Sequence, residues 1–436
     1  MPVDILDKYY LALTVLVTTG YQLLGFAVAW SFQFDKITDF TGGSNFFLLA
    51  ILTLCLGGVY HARNVIVSIF VMVWASRLAG FLLFRVLKTG SDSRFDDIRS
   101  HFFKFLGFWV GQIIWVWTVS LPVTILNSPG VVSSSIQHSF GTGTDIAGVV
   151  LWTVGWIVES VADLQKYNYK QTHPPKDQPI TVGLWKYCRH PPYFGEILCW
   201  WGIWLVTLSA TSNTDGPRRA QLGALASPLF TMILLIFGSG IPTAQKPTAR
   251  KFFLLSHGPK ATHINAWPNY QRYLARTSVL IPLPPSLYAR LPQPIKTVFL
   301  LDLPMYRFNE ETDGKRAIDE ERQKIEHNPM ASPKRPAPLA LPAPEATLSN
   351  DPSITTLEVG GKSISFDKLG PMVVNSNGYR AQTLSRIANW QEMTPAEQQN
   401  TIRVLSKRNQ LRTTILAQAE STNSKRADSE DLANER

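Results

Sequence analysis

Cysteine is nearly missing from this chain of 436 residues, which has only Cys55, Cys188 and Cys199. Their spacing matches no metal-binding motif and two of them fall inside apolar runs, so neither a disulfide framework nor a metal centre is expected. Charge is also scarce over residues 8–241, which consist of long apolar runs. Those runs lack the polar face at helical period that a soluble bundle needs, which excludes one. The first run lacks a small-residue cleavage site and is too long for a signal-peptide core, so it reads as a retained helix. A mean hydropathy near zero averages this half with a polar one at residues 302–436, rich in Lys, Arg, Glu, Asn and Ser.

A helix crosses about 30 Å of hydrocarbon with roughly 20 apolar residues. Seven stretches qualify: Tyr9–Phe32, Asn45–Val59, Val65–Leu87, Phe102–Leu126, Ile146–Ala162, Phe194–Leu208 and Gly223–Ile241. The second and sixth are short and borrow interfacial residues such as Tyr60, Trp200, Trp201 and Trp204. The expected fold is an all-α integral membrane protein of about seven transmembrane helices with a cytoplasmic, partly disordered C-terminal tail.

Lys and Arg collect on the cytoplasmic side of a membrane. Loops 33–44, 88–101 and 163–193 and everything after Ile241 hold most of them, including Lys36, Lys88, Arg94, Arg99, Lys166, Lys170, Lys186, Arg189, Arg250 and Lys251. The opposite side has Lys8, Arg63, Arg218 and Arg219. The amino terminus is therefore expected outside or in a lumen. The net charge of +10 lies mostly in loops beside spans, where it serves topology and anionic headgroups. A nucleic-acid partner is not expected.

The chain divides into a membrane domain at 1–285, a largely disordered linker at 286–352, a small module at 353–420 and a disordered tail at 421–436. After Ile241-Pro242, a basic and aromatic stretch to Pro285 reads as short interfacial helices. Residues 328–352 form a Pro/Ala tract. In the module, Val359-Gly360-Gly361-Lys362 and Asn375-Ser376-Asn377-Gly378 read as hairpin turns, and Thr394-Pro395-Ala396-Glu397 as a capping box. The module is thus α+β and is a candidate for a protein partner.

Polar groups at membrane depth are costly and persist where they face an interior, a wet cavity or a ligand. Glu159 and Asp163 lie one helical turn apart at the end of the fifth span, with Lys166 and Lys170 continuing that face. A self-neutralising helix end would explain them equally well. Arg85 in the third span can snorkel, whereas Arg77 lies too deep and needs an internal partner. In Arg189-His190-Pro191-Pro192-Tyr193-Phe194-Gly195-Glu196, a cation, an imidazole, a phenol and a carboxylate converge where a basic loop enters the sixth span. The prolines impose an extended entry, Gly195 permits close backbone approach, and Glu196 projects from the first turn. Topology signalling, interface anchoring and dipole pairing are the bland readings of those residues.

The octapeptide resembles the signature of the steroid 5-alpha reductase-like superfamily of membrane reductases, particularly an uncharacterised branch related to the isoprenylcysteine methyltransferase-like fold. Ser76-Arg77-Leu78, Glu159 with Ala162-Asp163-Leu164-Gln165-Lys166, Gly183-Leu184-Trp185, Ser239-Gly240-Ile241-Pro242, and Tyr270 through Arg276-Thr277-Ser278 to Pro282 follow in that branch's order. The resemblance covers about residues 50–285. It implies an oxidoreductase of the endoplasmic reticulum that transfers a hydride from NADPH to a carbon–carbon double bond of a lipid: a steroid, sterol or polyprenyl-type enone. By the same resemblance Arg77, Glu159, Asp163, Lys170, Arg189, His190, Tyr193, Glu196, Tyr270 and Tyr273 would bind the cofactor. Tyr60, His61 and Glu196 would be catalytic, with Tyr60 and His61 standing for the superfamily's carbonyl-activating pair. Pro192 occupies a position that is often Asn in the superfamily, and it supplies neither amide nor backbone donor.

Two other readings are compatible with these residues. Isoprenylcysteine carboxyl methyltransferases, which use S-adenosylmethionine, share a related Arg-His-Pro-x-Tyr loop but carry an acidic pair after the last spans. Here that region, Ile241-Pro242-Thr243-Ala244-Gln245-Lys246, contains no acid. A non-catalytic membrane scaffold with a partner-binding tail is the third reading.

Overall fold

A computed structural model describes residues 2–32, 37–89, 98, 100–133, 139–211 and 215–327. The expected linker tract at 328–352, the module at 353–420, the tail and the loop cations Lys36, Arg94 and Arg99 lie outside the described residues. In chain order the helices are α1 (Leu11–Ser31), α2 (Thr38–Gly57), α3 (Ala62–Thr89), α4 (Phe102–Leu126), the single turn α5 (Pro129–Val132), α6 (Gly143–Gln171), α7 (Pro191–Ser209), α8 (Asp215–Gly223), α9 (Ala226–Phe237), α10 (Ile241–His257), α11 (Ala266–Arg276), α12 (Pro285–Arg290), α13 (Gln293–Val298) and α14 (Lys315–His327). Among the described residues no strand forms, only isolated bridges such as that between Cys188 and Ser278.

Among the described residues six stretches are long and apolar enough to cross a membrane: Leu11–Ser31, Thr38–Gly57, Ala62–Leu87, Phe102–Val132, Gly143–Gln171 and Asp215–His257. The chain is thus a multi-pass membrane protein, and six of the expected seven spans have a counterpart among these stretches. The expected sixth span, Phe194–Leu208, folds as α7 but is not among them. Two prolines, Glu196 and three tryptophans lower its hydropathy. A physical reason is visible in the packing, because α7 touches α3, α4, α6, α8 and α9. Cys199, Trp200, Ile203 and Val206 on it are fully buried, and a helix wrapped by other helices need not be as apolar as one facing lipid.

The second span begins at Thr38, seven residues before the expected Asn45, because small polar residues there pack inside the bundle. Thr38, Thr41, Gly42 and Gly43 are buried. A Cβ on Gly43 would sit 3.0 Å from the Cβ of Ala79 on α3.

The closest helix contact joins α6 and α7. Gly148 and Gly155 on α6 face Gly202 and Gly195 on α7. A Cβ at Gly155 would lie 2.5 Å from the Gly195 carbonyl oxygen, and one at Gly148 2.6 Å from that of Gly202. Without side chains at these positions the two backbones touch, which is how membrane helices gain packing energy where no hydrophobic driving force acts.

At the end of the bundle that holds the N-termini of α3 and α6, Arg63 donates to both carboxylate oxygens of Asp145, at 2.9 and 2.7 Å, and both side chains are buried. Asp145 also accepts the backbone N–H groups of Gly141 and Thr142, and Thr142 caps α6. Nearby, Asn127 donates to Thr53 and Ser68 and accepts from Asn64. These networks satisfy polar groups that would each be expensive in hydrocarbon.

The stretch after Ile241, expected to form short interfacial helices, folds as the amphipathic helices α10 and α11, of which α10 falls within the candidate span Asp215–His257. Residues 286–327 differ from the expected disordered linker, since they form α12 to α14 packed on the membrane domain. The Tyr306 hydroxyl, fully buried, donates to the Ile236 carbonyl on α9 at 2.8 Å. Tyr288 donates to Asp302 at 2.6 Å. The segment's polarity disguised it, because it docks through a few aromatic and acidic residues rather than a periodic apolar face. Tyr306→Phe is expected to cost about 1 kcal/mol, the typical net contribution of one buried hydrogen bond. It would register as a modest drop in melting temperature in detergent, and an unchanged melt would place this segment off the domain.

Candidate functional site

The C-terminal ends of α3 and α6 and the N-terminal ends of α4 and α7 surround a cavity of about 850 Å³, which α10 and α11 complete. That volume lies within the range of small-molecule and cofactor sites, about 300–1,000 Å³. Glu159, Asp163, Lys170, Arg189, His190, Tyr193, Glu196, Tyr270 and Tyr273 all line it. Residues separated by more than a hundred positions therefore meet in one hollow.

Arg77 is not on the cavity surface but stands behind it, which supplies the internal partner that its depth demands. Its guanidinium pairs with the carboxylates of both Glu159 and Asp163 and donates to the Glu159 carbonyl at 3.0 Å. Trp74 Nε1 donates to the other Glu159 oxygen at 3.1 Å. One guanidinium thus serves two acids.

Glu196 lines the cavity and makes no hydrogen bond or ion pair to a described residue. It is placed by its neighbour, since Gly195 packs so closely that a Cβ there would lie 2.8 Å from the Glu159 backbone nitrogen. Lys166, Lys170 and Lys251 bring positive charge to the same wall, with no ion pair among the described residues. Lys166 Nζ lies 4.7 Å from the Trp185 ring centroid. Trp185 is held by its indole N–H to the Ala162 carbonyl at 2.9 Å. The Gly183 motif keys into α6: Gly183 has φ 52, and a Cβ there would overlap the Gln165 amide, whose oxygen accepts from Leu184 N–H at 2.9 Å. Only glycine suits both demands.

Arg189 does a different job from the one its motif implies. Its Nε donates to the Thr277 carbonyl at 2.8 Å, and Nη2 donates to the Leu274 carbonyl at 2.7 Å and approaches Tyr288 and Asp302. Most of its donors are therefore spent on tying the loop before α7 to the last turn of α11 and the segment after it, and it acts chiefly as a positioning residue. His190 stacks on Tyr193 with the rings 9° apart, and its Nε2 reaches Gln245 Oε1 at 3.4 Å. Burial, with smaller contributions from Arg189 and Lys166, pushes the imidazole down to about 3. A neutral ring whose Nε2–H points at Gln245 keeps Nδ1 as an acceptor.

Tyr273 donates to the Trp185 carbonyl at 3.0 Å and so braces the wall. Tyr270 stacks on Phe252, its hydroxyl makes no hydrogen bond to a described residue, and burial raises its phenol to about 12. It stays protonated at neutral pH and can donate a hydrogen bond. Pro192 lines the cavity from the first turn of α7. Its missing N–H costs the helix nothing at that position, because the first amides of a helix have no intrahelical partner.

Tyr60 and His61 do not join this group. They immediately precede α3 at the end closed by Arg63 and Asp145, and Tyr60 is 64% exposed. At about 1.5 Å per residue they stand roughly 25 Å from Arg77 along α3, so the structure removes them as carbonyl-activating candidates. Gln245 and Lys251 were missed. With Ala244, Thr248 and Phe252 they form the cavity-lining face of α10, at the 3.6-residue period that the sequence itself displays.

Residues 25–254, more than half of the chain, match the model of a family described as a protein of unknown function, DUF1295. The matched span runs from α1 into α10 and so includes most walls of the cavity. No curated protein and no solved structure matches the chain.

Proposed function

The chain belongs to the DUF1295 family, which is related to steroid 5-alpha reductase-like proteins, and from that premise we propose that it is an NADPH-dependent membrane reductase acting on a carbon–carbon double bond of a lipid enone. The observation that carries this reading is the make-up of the cavity. Lys166, Lys170 and Lys251 suit phosphate groups, while Glu196 and the Tyr270 hydroxyl make no hydrogen bond to a described residue. Leu78, Phe81, Phe108 and Trp115 add apolar surface to a lining that also includes Asp39, Arg85 and Gln112. A polar cofactor and a lipid therefore both find matching surface in one hollow.

In this reading α7 is a seventh membrane-embedded helix, and the lysine-rich end faces the cytoplasm of an endoplasmic-reticulum membrane. NADPH, when bound, would supply the hydride to the β-carbon of the enone. The chain's own residues would do the rest. Lysines of α6 and α10 hold phosphate, the stacked His190–Tyr193 pair offers a flat wall for a planar ring, and Tyr270 is placed to donate a hydrogen bond or proton. Glu196 orients the polar end of cofactor or substrate, and Arg77 keeps Glu159 and Asp163 fixed behind them.

Titration of the purified chain with NADPH and with S-adenosylmethionine tests the proposal. NADPH is expected to raise the melting temperature. Lys170→Ala and Lys251→Ala are each expected to weaken it about tenfold or more, because a hydrogen bond to a charged group contributes roughly 1.5–3 kcal/mol. Stabilisation by S-adenosylmethionine alone would make the chain a methyltransferase, and stabilisation by neither would leave the scaffold reading. Cells lacking the protein should accumulate an unsaturated lipid precursor.

A further inference from the structure

We propose that residues 287–305 form a membrane-surface anchor, lying at the boundary between headgroups and acyl chains of the bilayer that the helices cross, and that this contact steadies Asp302 against Arg189. The inference goes beyond the reductase reading and does not depend on it.

The segment lies beyond the family match at residues 25–254 and its sequence reads as a linker, yet the large side chains it leaves exposed are apolar. Val298 and Phe299 are 67% and 70% exposed, and Leu287, Ile295 and Met305 are exposed as well. Two of the three charges in the segment are cations: Arg290 is exposed, and Lys296 Nζ lies 4.6 Å from the Tyr288 ring centroid. The one acid, Asp302, is buried. Exposed apolar side chains accompanied by cations suit the acyl boundary and anionic headgroups. In water the same patch would be a liability.

What covers the patch follows from where the segment is seated. The Tyr306 hydroxyl reaches the Ile236 carbonyl in the last turn of α9, and Leu301 and Leu303 pack with Met232, Leu235 and Ile236 of that helix. Since α9 belongs to a membrane-spanning stretch, its exposed Ile233 and Phe237 face hydrocarbon. Met305 and Phe237 are the chain neighbours of the two residues joined by that hydrogen bond, so the exposed side of the segment continues the lipid face of α9 where that helix ends. The surface at hand is therefore bilayer and not a protein partner. Asp302 lies between the exposed Phe299 and Met305, and its carboxylate accepts from Tyr288 at 2.6 Å and meets Arg189 at 3.4 Å. Anchoring thus holds an acid on the arginine that ties down the loop before α7.

The test uses the full-length chain with Cys55→Ser, which leaves the two buried cysteines, and an environment-sensitive fluorophore on Phe299→Cys, in nanodiscs of phosphatidylcholine and phosphatidylserine. An anchor inserted about 5–10 Å into the boundary is expected to give blue-shifted emission, about half of it quenched by lipids spin-labelled at the top of the acyl chain. The same fluorophore on Lys315→Cys, exposed on α14, should emit as in water and stay unquenched. Emission at position 299 matching that at 315 would overturn the proposal. So would a blue shift that spin-labelled lipid does not quench, since a protein surface or a second copy would then cover the patch. Val298→Asp is expected to cut the quenching severalfold and to speed amide exchange at Arg189 and His190, whose N–H groups bond to the Ser278 and Val279 carbonyls. Lost quenching with unchanged exchange would refute the link to Arg189. Should Val298→Asp fail to fold, Asp302→Asn tests that link alone: it should speed the same exchange while leaving the quenching at position 299 as it was, and unchanged exchange would again refute it.

Discussion

Arg77→Ala is expected to destabilise the protein by about 3–5 kcal/mol and to abolish nucleotide binding with it. Removing one partner of a buried ion pair leaves an uncompensated charge, and that residual charge, more than the lost attraction, sets the size of the effect. Two carboxylates are stranded here, because Arg77 holds both Glu159 and Asp163, and Asp163 and Glu159 line the cavity. Arg77→Lys should recover only part of the loss, since a point charge cannot span two carboxylates as the guanidinium fork does. Adding Glu159→Gln to Arg77→Ala should recover stability by removing one stranded charge. Denaturant titration in detergent measures the first effect and NADPH-dependent fluorescence the second. If Arg77→Ala melts and binds like the parent, the site does not depend on this triad.

The other large effect concerns Gly155. Alanine at this position would put its Cβ 2.5 Å from the Gly195 carbonyl oxygen and 2.8 Å from the Cys199 nitrogen. These are backbone atoms that no rotamer change can move aside, so α6 and α7 must separate. A loss of about 1–3 kcal/mol is typical of overpacking, and leucine should exceed it enough to prevent folding. Separation also moves Glu159 away from Glu196, so Gly155→Ala should weaken NADPH beyond what its stability loss explains. Gly80→Ala is the control, since nothing lies within 4 Å of its Cβ. Equal melting temperatures for the two variants would mean that the helices do not touch in the membrane.

Much of this site was legible in the chain because charge in an apolar segment has few permitted locations. The depth of Arg77 required an internal partner, and the one-turn spacing of Glu159 and Asp163 put both on a face where such a partner could reach them. Gly195 was readable as a point of close approach. Its counterpart Gly155 was not, although the seven-residue spacing of Gly148 to Gly155 repeats that of Gly195 to Gly202. Spacing identifies a smooth helix face but not the face it meets. Arg189 shows the same limit. Its charge and its place in the octapeptide were visible, but whether its fork turns to the cavity or to the carbonyls of Leu274 and Thr277 depends on where α11 ends. Tyr60 and His61 stand for a pair that only the resemblance implies, and distance along α3 decides against them.

What the sequence determined alone was the medium. Runs of apolar residues with few charges require a membrane and helices whatever their arrangement, since no other backbone structure here satisfies its own hydrogen bonds in lipid. Membership of the cavity was decided only by the tertiary structure, and so was the shielding of α7. Both depend on which helix is wrapped by which, and a helix such as α7, shielded by its neighbours, is freed from the composition that lipid imposes on the others.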